Sequence, residues 1–233
     1  MNKILGLIPA RGGSKSILRK NIQLLFDKPL IAWTIEAALR SHKLNRVIVS
    51  TEDEQIADVS KKIGAEVPFL RPVELAQDHI PTLSVLLHAL SWLKERENYT
   101  PDIIVLLQPT SPLRCTEHID QAIALLLESG ADSVVSVCLA KQNPHWMKRL
   151  EGDRVYPFVE NGQEYHRRQD LPPVYYLNGA VYVTRYEVLT NQNQIFGNDI
   201  RAIVMDPESS IDIDTLFDFK MAELFLKEQK YEL

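Results

Sequence analysis

The stretch Lys3-Ile4-Leu5-Gly6-Leu7-Ile8-Pro9-Ala10-Arg11-Gly12-Gly13-Ser14-Lys15 decides how the whole chain is read. Lys3 to Ile8 is a short apolar run with the length and density of a strand buried on both faces of a parallel sheet. It leads into Gly12 and Gly13, followed by Ser14, Lys15, Arg19, Lys20 and Asn21. Paired glycines let backbone N–H groups come close to phosphate oxygens, while Arg11, Lys15 and Lys20 can neutralise charge that builds on a departing pyrophosphate. A glycine loop directly after a first buried strand therefore suits a triphosphate better than it suits a merely basic surface turn. The spacings Gly-x4-Gly-Lys-Ser/Thr and Gly-x-Gly-x-x-Gly are both absent, so neither a P-loop NTPase nor a dinucleotide fold is supported.

Outward from this loop, Val47 to Ser50 and Ile103 to Leu107 read as further buried strands. Between them, Pro29 to Arg40 opens with proline in its first turn and sets Ile31, Ile35, Ala38 and Leu39 on one face. Asp53 is placed to cap the next helix. Pro81 to Lys94 repeats the apolar spacing, and Thr116 to Leu127 follows the third strand. This βαβα order predicts an α/β fold with a doubly wound, mostly parallel sheet. Its ligand site is expected beyond the carboxyl ends of the strands, where the loops after Ile8, Ser50 and Leu107 converge.

After residue 139 the pattern changes: Arg154 to Val159, the turn Asn161-Gly162 and Gln163 to Arg168 predict an antiparallel hairpin. A strand from Val174 to Val183, a helix near Arg185 to Thr190, a strand from Arg201 to Met205 and a helix from Thr215 to Lys230 then rejoin the main body. Residues 1–233 are expected to form one domain, with 140–175 as a small antiparallel insert.

The 31 acidic and 26 basic side chains give a net charge of −5, which argues against broad attraction to nucleic acid or an anionic membrane. Any phosphate must be bound locally. The N-terminal apolar run is too short for a signal peptide, and no run approaches the roughly 20 residues that cross a bilayer, so a cytoplasmic protein is expected. Cys115 and Cys138 lack metal-ligand spacing and read as reduced thiols. The histidines, among them His79, His88, His118 and His145, show no ligand spacing either.

Asp212 and Asp214 are two apart on a segment read as extended, which sets both carboxylates on one face about 7 Å apart, within reach of one or two hard cations. Asp214 alternatively caps the helix that begins at Thr215. Taken alone, Arg71 reads first as a surface partner of Glu74, and Tyr182, alternating with Val181 and Val183, as a half-buried structural tyrosine.

Ile8 to Lys15 with Lys20-Asn21 resembles the opening signature of the acylneuraminate cytidylyltransferases, the CMP-sialic acid synthetases. Arg71-Pro72-Val73-Glu74-Leu75-Ala76-Gln77-Asp78, Leu107-Gln108-Pro109-Thr110-Ser111-Pro112-Leu113-Arg114, Arg168-Gln169, Asn178-Gly179-Ala180-Val181-Tyr182 and Ile211-Asp212-Ile213-Asp214 are similar to further motifs of that family, in the same order. The related Kdo cytidylyltransferases usually carry an aromatic residue followed by serine, threonine and arginine where this chain has Gly12 to Lys15, a departure that favours sialic-type acids.

The resemblance implies a Rossmann-like nucleotidyltransferase fold, Mg²⁺ as cofactor, and CTP plus an acidic nine-carbon sugar as substrates. It implies that Arg11, Gly12, Gly13, Ser14, Lys15, Lys20 and Asn21 hold the nucleotide phosphates and ribose, with Arg71 and Thr82 at the cytosine. Gln108, Thr110, Ser111, Arg168, Gln169, Asn178 and Tyr182 fall on sugar positions, and Asp212 and Asp214 on metal positions. Arg11, Lys15, Lys20 and Asp214 carry the catalytic expectation. The 140–175 insert is expected to make a homodimer, with Trp146, Tyr156 and Phe158 as anchors, and Lys141, His145 and Lys148 are the basic candidates near the substrate. The alternatives are a nucleotidyltransferase for a Kdo-like acid or sugar 1-phosphate, and a non-catalytic nucleotide-sugar binding protein.

Overall fold

A computed structural model describes residues 2–160 and 165–231. In chain order the elements are β1 (Ile4–Pro9), a two-residue ribbon of β2 (Leu24–Leu25) and β3 (Lys28–Pro29), α1 (Leu30–Leu39), β4 (Arg46–Ser50), α2 (Glu54–Ile63) and α3 (Thr82–Glu97). They continue with β5 (Ile103–Leu106), α4 (Thr116–Ser129), β6 (Ser133–Leu139), β7 (Lys148–Glu151), β8 (Arg154–Pro157), β9 (Tyr175–Arg185), α5 (Tyr186–Asn191), β10 (Ile200–Met205) and α6 (Leu216–Tyr231).

Six strands form one sheet in the order β10-β6-β9-β5-β1-β4. β1 is parallel to β4 and β5, and β6 is parallel to β10. The long β9 is antiparallel to both β5 and β6 and joins the two parallel groups. The mostly parallel α/β expectation holds, with β9 as the exception.

The alternation of β1 shows why helices cover both faces. Ile4 and Ile8 join a core with Ile31 and Ile35 of α1, Ile56 of α2 and Ile119 of α4. Leu5 and Leu7 point the other way, into Leu86, Leu90 and Leu93 of α3 and Leu189 of α5. Burying a side chain of this size stabilises by about 1.5–3 kcal/mol, so a strand apolar on both faces is stable only when helices lie on both sides. Asp53 caps α2 as expected, accepting from the backbone N–H groups of Gln55 and Ile56. Among the described residues no helix is long and apolar enough to cross a membrane.

Two expectations are corrected. The hairpin of the insert pairs Lys148–Glu151 with Arg154–Pro157, earlier than predicted. Its turn is Gly152-Asp153, with Gly152 at φ 64°, the left-handed value that a two-residue turn requires at its first position. The expected turn Asn161-Gly162 lies outside the described residues. The described part of the expected second strand, 165–168, is not a strand and runs into a 3-10 turn, Arg168–Asp170, because Tyr165-His166-Arg167-Arg168 offers no apolar alternation. Strand β6 was not expected, although Ser133-Val134-Val135-Ser136-Val137 carries the β-branched signal.

A third apolar cluster lies outside the sheet. Ile17, Leu25, Leu30 and Leu113 enclose Ile213 with Ala222 and Leu226 of α6. Because Ile213 is fully buried, the segment between β10 and α6 is fixed, with Asp212 and Asp214 on either side of the anchor.

Candidate active site

A cleft of about 470 Å³ opens where the loops after β1, β4 and β5 meet. Arg11, Ser14, Lys15, Lys20 and Asn21 line it from the glycine loop, Arg71 from the connection between β4 and α3 with Thr82 at the head of α3, Gln108 and Thr110 from the loop after β5, and Asp214 from the segment before α6. Four chain segments, separated by up to about two hundred residues in sequence, therefore converge at one mouth.

The glycine loop is held by its own polar groups. Asn21 is buried and donates its side-chain amide to the Arg11 carbonyl at 2.9 Å. Gly12 donates its backbone N–H to Glu52 Oε1 at 2.7 Å. A Cβ at Gly12 would come within 2.5 Å of Asp53 Oδ2, so the close approach itself requires glycine here. Asp53 also accepts two hydrogen bonds from Arg19 Nη2, at 2.8 and 2.7 Å, which fastens the far end of the loop.

Arg71 is buried and donates to Glu52 Oε2 at 2.8 Å and to the Ser50 carbonyl at 3.3 Å. Its partner is therefore Glu52 and not Glu74. Burial holds its pKa below the ordinary guanidinium value, against the opposing pull of the Glu52 charge. One carboxylate thus joins the loop amide of Gly12 to the guanidinium of Arg71. Glu52 was not singled out in the sequence, although it stands just past the carboxyl end of a buried strand, where such sites lie.

At the mouth, Asp78 forms ion pairs with Arg11, at 2.6 Å, and with Lys15. Lys15 foremost holds the Asp78 carboxyl below its usual value. Lys20 donates to the Ile213 carbonyl at 2.5 Å and lies 3.3 Å from Asp214 Oδ1.

The two aspartates are not alike. Asp212 is half-buried, its Oδ1 is buried without a hydrogen-bond partner among the described residues, and burial pushes its carboxyl pKa up. The side chain of Asp214 is 75% exposed. The segment is irregular and not a strand. Asp214 does not cap α6: Asp218 accepts from the backbone N–H of Thr215 at 2.7 Å and returns its own N–H to the Thr215 hydroxyl at 3.3 Å. This reciprocal box leaves the Asp214 carboxylate free of capping duty. Among the described residues no cluster of three or more His, Cys, Asp or Glu could hold a metal ion by itself.

Several expected residues lie elsewhere. Ser111 is fully buried. Asn178 is buried at a register shift between β6 and β9, where its Oδ1 accepts from Ser136 Oγ at 2.6 Å and its amide donates to Ser210 Oγ at 2.9 Å. It fills a bulge and does not line the cleft. Tyr182 packs edge-on against Phe196, 5.3 Å between centroids, on the α3 face of the sheet. Arg168 and Gln169 are exposed on the insert, and Arg168 lines a second depression with Lys141, Asn143 and Trp146. The signal for Asn178 was a polar residue before glycine inside a strand, which marks a bulge as readily as a ligand.

The arrangement can hold a polyanion on Arg11, Lys15 and Lys20, present a guanidinium and a threonine to a planar acceptor, and bring carboxylates to the same mouth. A family model described as cytidylyltransferase matches residues 5–230. The chain belongs to the cytidylyltransferase family. It is 37% identical over 222 residues to an N-acylneuraminate cytidylyltransferase of Escherichia coli, covering 94% of this chain and 51% of that protein. It is 36% identical to a CMP-N,N'-diacetyllegionaminic acid synthase of Legionella pneumophila, covering 97% of each. The chain therefore spans about half the length of the first relative and nearly all of the second. A solved CMP:2-keto-3-deoxy-manno-octonic acid synthetase complexed with CTP shares the fold, with a TM-score of 0.73 at 18% identity, covering 97% of this chain and 99% of that one.

Proposed function

We propose that this protein transfers the cytidylyl group of CTP to an acidic nine-carbon α-keto sugar, releasing pyrophosphate. The observation that carries the reading is the convergence of Arg11, Lys15, Lys20, Arg71, Gln108 and Asp214 on one cleft beyond β1, β4 and β5, in a chain of this family whose relatives bear such names.

The roles follow from the side chains. Arg11, Lys15 and Lys20 take the triphosphate and stabilise the charge that develops on pyrophosphate as it leaves. Arg71, with Thr82, offers donors to the acceptor edge of cytosine. Gln108 and Thr110 orient the sugar so that its anomeric hydroxyl attacks the α-phosphorus in line, with no covalent enzyme intermediate.

Asp212 and Asp214 are the residues that would hold Mg²⁺. The partnerless buried oxygen of Asp212 fits such a role, since a desolvated carboxylate is stabilised by a cation. A bound Mg²⁺ supplies charge neutralisation at the reacting phosphate.

The insert is proposed to pair two copies of the chain. Trp146, Leu150 and Phe158 are 42%, 68% and 66% exposed there, a concentration of apolar surface suited to an interface core. Arg168 does not line the cleft of its own chain, so a role toward the sugar carboxylate is tied to that pairing. Mixing an Arg168→Ala variant with a Lys15→Ala variant should then regain activity that neither has alone.

The reading is tested by pyrophosphate release from each of the four ribonucleoside triphosphates across a panel of acids: N-acetylneuraminic, legionaminic, pseudaminic, deaminated and Kdo. Release with CTP and one or more nine-carbon acids is expected. Release with Kdo alone, or with a triphosphate other than CTP, would overturn it.

A further inference from the structure

Arg114 ends the loop Gln108 to Arg114 and lies behind the cleft, 2% exposed. Its Nη1 donates to the carbonyl of Gln108 at 3.1 Å and to that of Ala180 at 2.9 Å, and its Nη2 donates to the hydroxyl of Thr34. Among the described residues it has no carboxylate partner within ion-pair distance, and burial pushes its pKa down to about 9. A guanidinium without a counter-ion in the interior is costly, and a neutral side chain of similar size would fill the space at less cost. Its place here therefore calls for a purpose other than stability.

The three acceptors come from three elements: Thr34 from α1, Gln108 from the end of β5 and Ala180 from β9. Thr34 in turn donates its hydroxyl to the same Gln108 carbonyl at 3.4 Å. Arg114 thus ties the point where the loop leaves the sheet to the helix and the strand beside it. The loop passes this constraint on. The carbonyl of Thr110 accepts from the N–H of Ile213 at 2.8 Å, which ties the loop to the residue between Asp212 and Asp214. Gly179, at φ 74°, leaves room for the Gln108 side chain, whose Oε1 would lie 3.2 Å from any Cβ there.

We infer that Arg114, which touches no ligand, is the positioning residue for the sugar half of the site, fixing Gln108 and Thr110 directly and the Asp212–Asp214 segment through Thr110. The inference rests on the reading of the Gln108–Thr110 loop as the sugar face. The glycine loop and Arg71 of the nucleotide half are held by other groups, Glu52, Asn21 and Asp53, and only Lys20 reaches across to the Ile213–Asp214 segment.

The test is Arg114→Lys in the full chain, which keeps the charge and loses the fork, read by steady-state kinetics and by amide exchange of the free protein. The Michaelis constant for the sugar should rise about tenfold or more, because small misplacements of positioning groups are expensive, while that for CTP moves several-fold less. Exchange at Ser111 and Ile213, whose N–H groups meet the loop, should speed up while β4 stays protected. An unchanged sugar constant, or exchange that rises equally everywhere, would overturn the inference and leave Arg114 a structural residue. Should Arg114→Lys fail to fold, Thr34→Val removes one acceptor and should move the same two readouts in the same direction by less; no movement in a folded variant is again fatal. If the unaltered protein releases no pyrophosphate with any acid, the reaction assignment falls, and exchange at Ser111 and Ile213 still decides the role of Arg114.

Discussion

Asp78 meets Arg11 at 2.6 Å across the mouth of the cleft and engages Lys15 from the same carboxylate. Before any ligand arrives, this acid occupies two of the cations that the proposed triphosphate needs. The Arg11, Lys15 and Asp78 side chains are 39%, 83% and 41% exposed, and exposed pairs are each worth about 0–1 kcal/mol. Asp78→Asn should therefore lower the Michaelis constant for CTP by up to roughly fivefold. A higher constant would show that Asp78 contacts the bound nucleotide instead.

Lys15→Ala or Arg11→Ala should reduce turnover by roughly 10²-fold, the usual cost of losing a group that meets developing charge. The melting temperature should hardly move, because both side chains lie at the exposed rim. Near-normal turnover in both variants would remove the glycine loop from the reaction.

Glu52→Gln keeps an acceptor for the Gly12 amide yet leaves the Arg71 guanidinium buried without its counter-charge. Breaking one side of a buried pair costs about 3–5 kcal/mol, so denaturant unfolding of the free protein should show a large loss. Adding Arg71→Met should recover part of it, as a double-mutant cycle would reveal. Additive losses would mean that the two residues are not coupled.

Asp214→Asn should leave thermal stability nearly unchanged, because Thr215 and Asp218 cap α6 between them. Activity should collapse at low Mg²⁺ and return in part at high Mg²⁺. Thr215→Ala should do the reverse, costing about 1 kcal/mol of stability. Full turnover of Asp214→Asn across a Mg²⁺ titration would make the carboxylate dispensable.

His118 gives the fold a pH dependence of known sign. Its Nδ1 accepts from the Cys115 backbone N–H at 3.2 Å at the start of α4, a role only the unprotonated nitrogen can fill. Burial foremost lowers its pKa, so the unfolded chain binds the proton more readily than the folded one. The stabilisation is present above the ordinary histidine value near 6.5 and is lost as pH falls through the depressed folded value. His118→Gln keeps a capping acceptor that does not titrate, so unfolding free energy should vary less between neutral and mildly acid pH. An unaltered pH slope would assign the loss to other groups.

The glycine loop, the alternating strands and the convergence of three loops were legible because each rests on local pattern: apolar runs, helix periodicity and glycine chemistry. Asn178, Tyr182 and Arg168 carried the same motif signal as Gln108 but do not line the cleft. What separates them is which side of β9 each faces and where the insert folds, and both depend on tertiary packing. Glu52 and Arg114 could not be read for the converse reason. Their importance lies mainly in distant partners, Arg71 for Glu52, 19 residues away, and Thr34 and Ala180 for Arg114, 80 and 66 residues away, which no spacing rule reaches. Capping of α6 by Thr215 and Asp218 was within reach as a threonine followed three residues later by an acid, and only the neighbouring Asp214 obscured it.

The antiparallel β9 also dictates an order of assembly. β6 and β10 have no ladder to β1 except through β9, so the sheet stays in two pieces until the chain has been synthesised as far as Arg185. Pairing across such sequence separation is slow. Meanwhile β5 and β6 each present an open edge, the kind of surface on which partly folded chains associate. The glycine loop has its flanking strands β4 and β5 once Leu106 is made, whereas the Gln108–Arg114 loop gains its tie to Ala180 only when this late strand arrives.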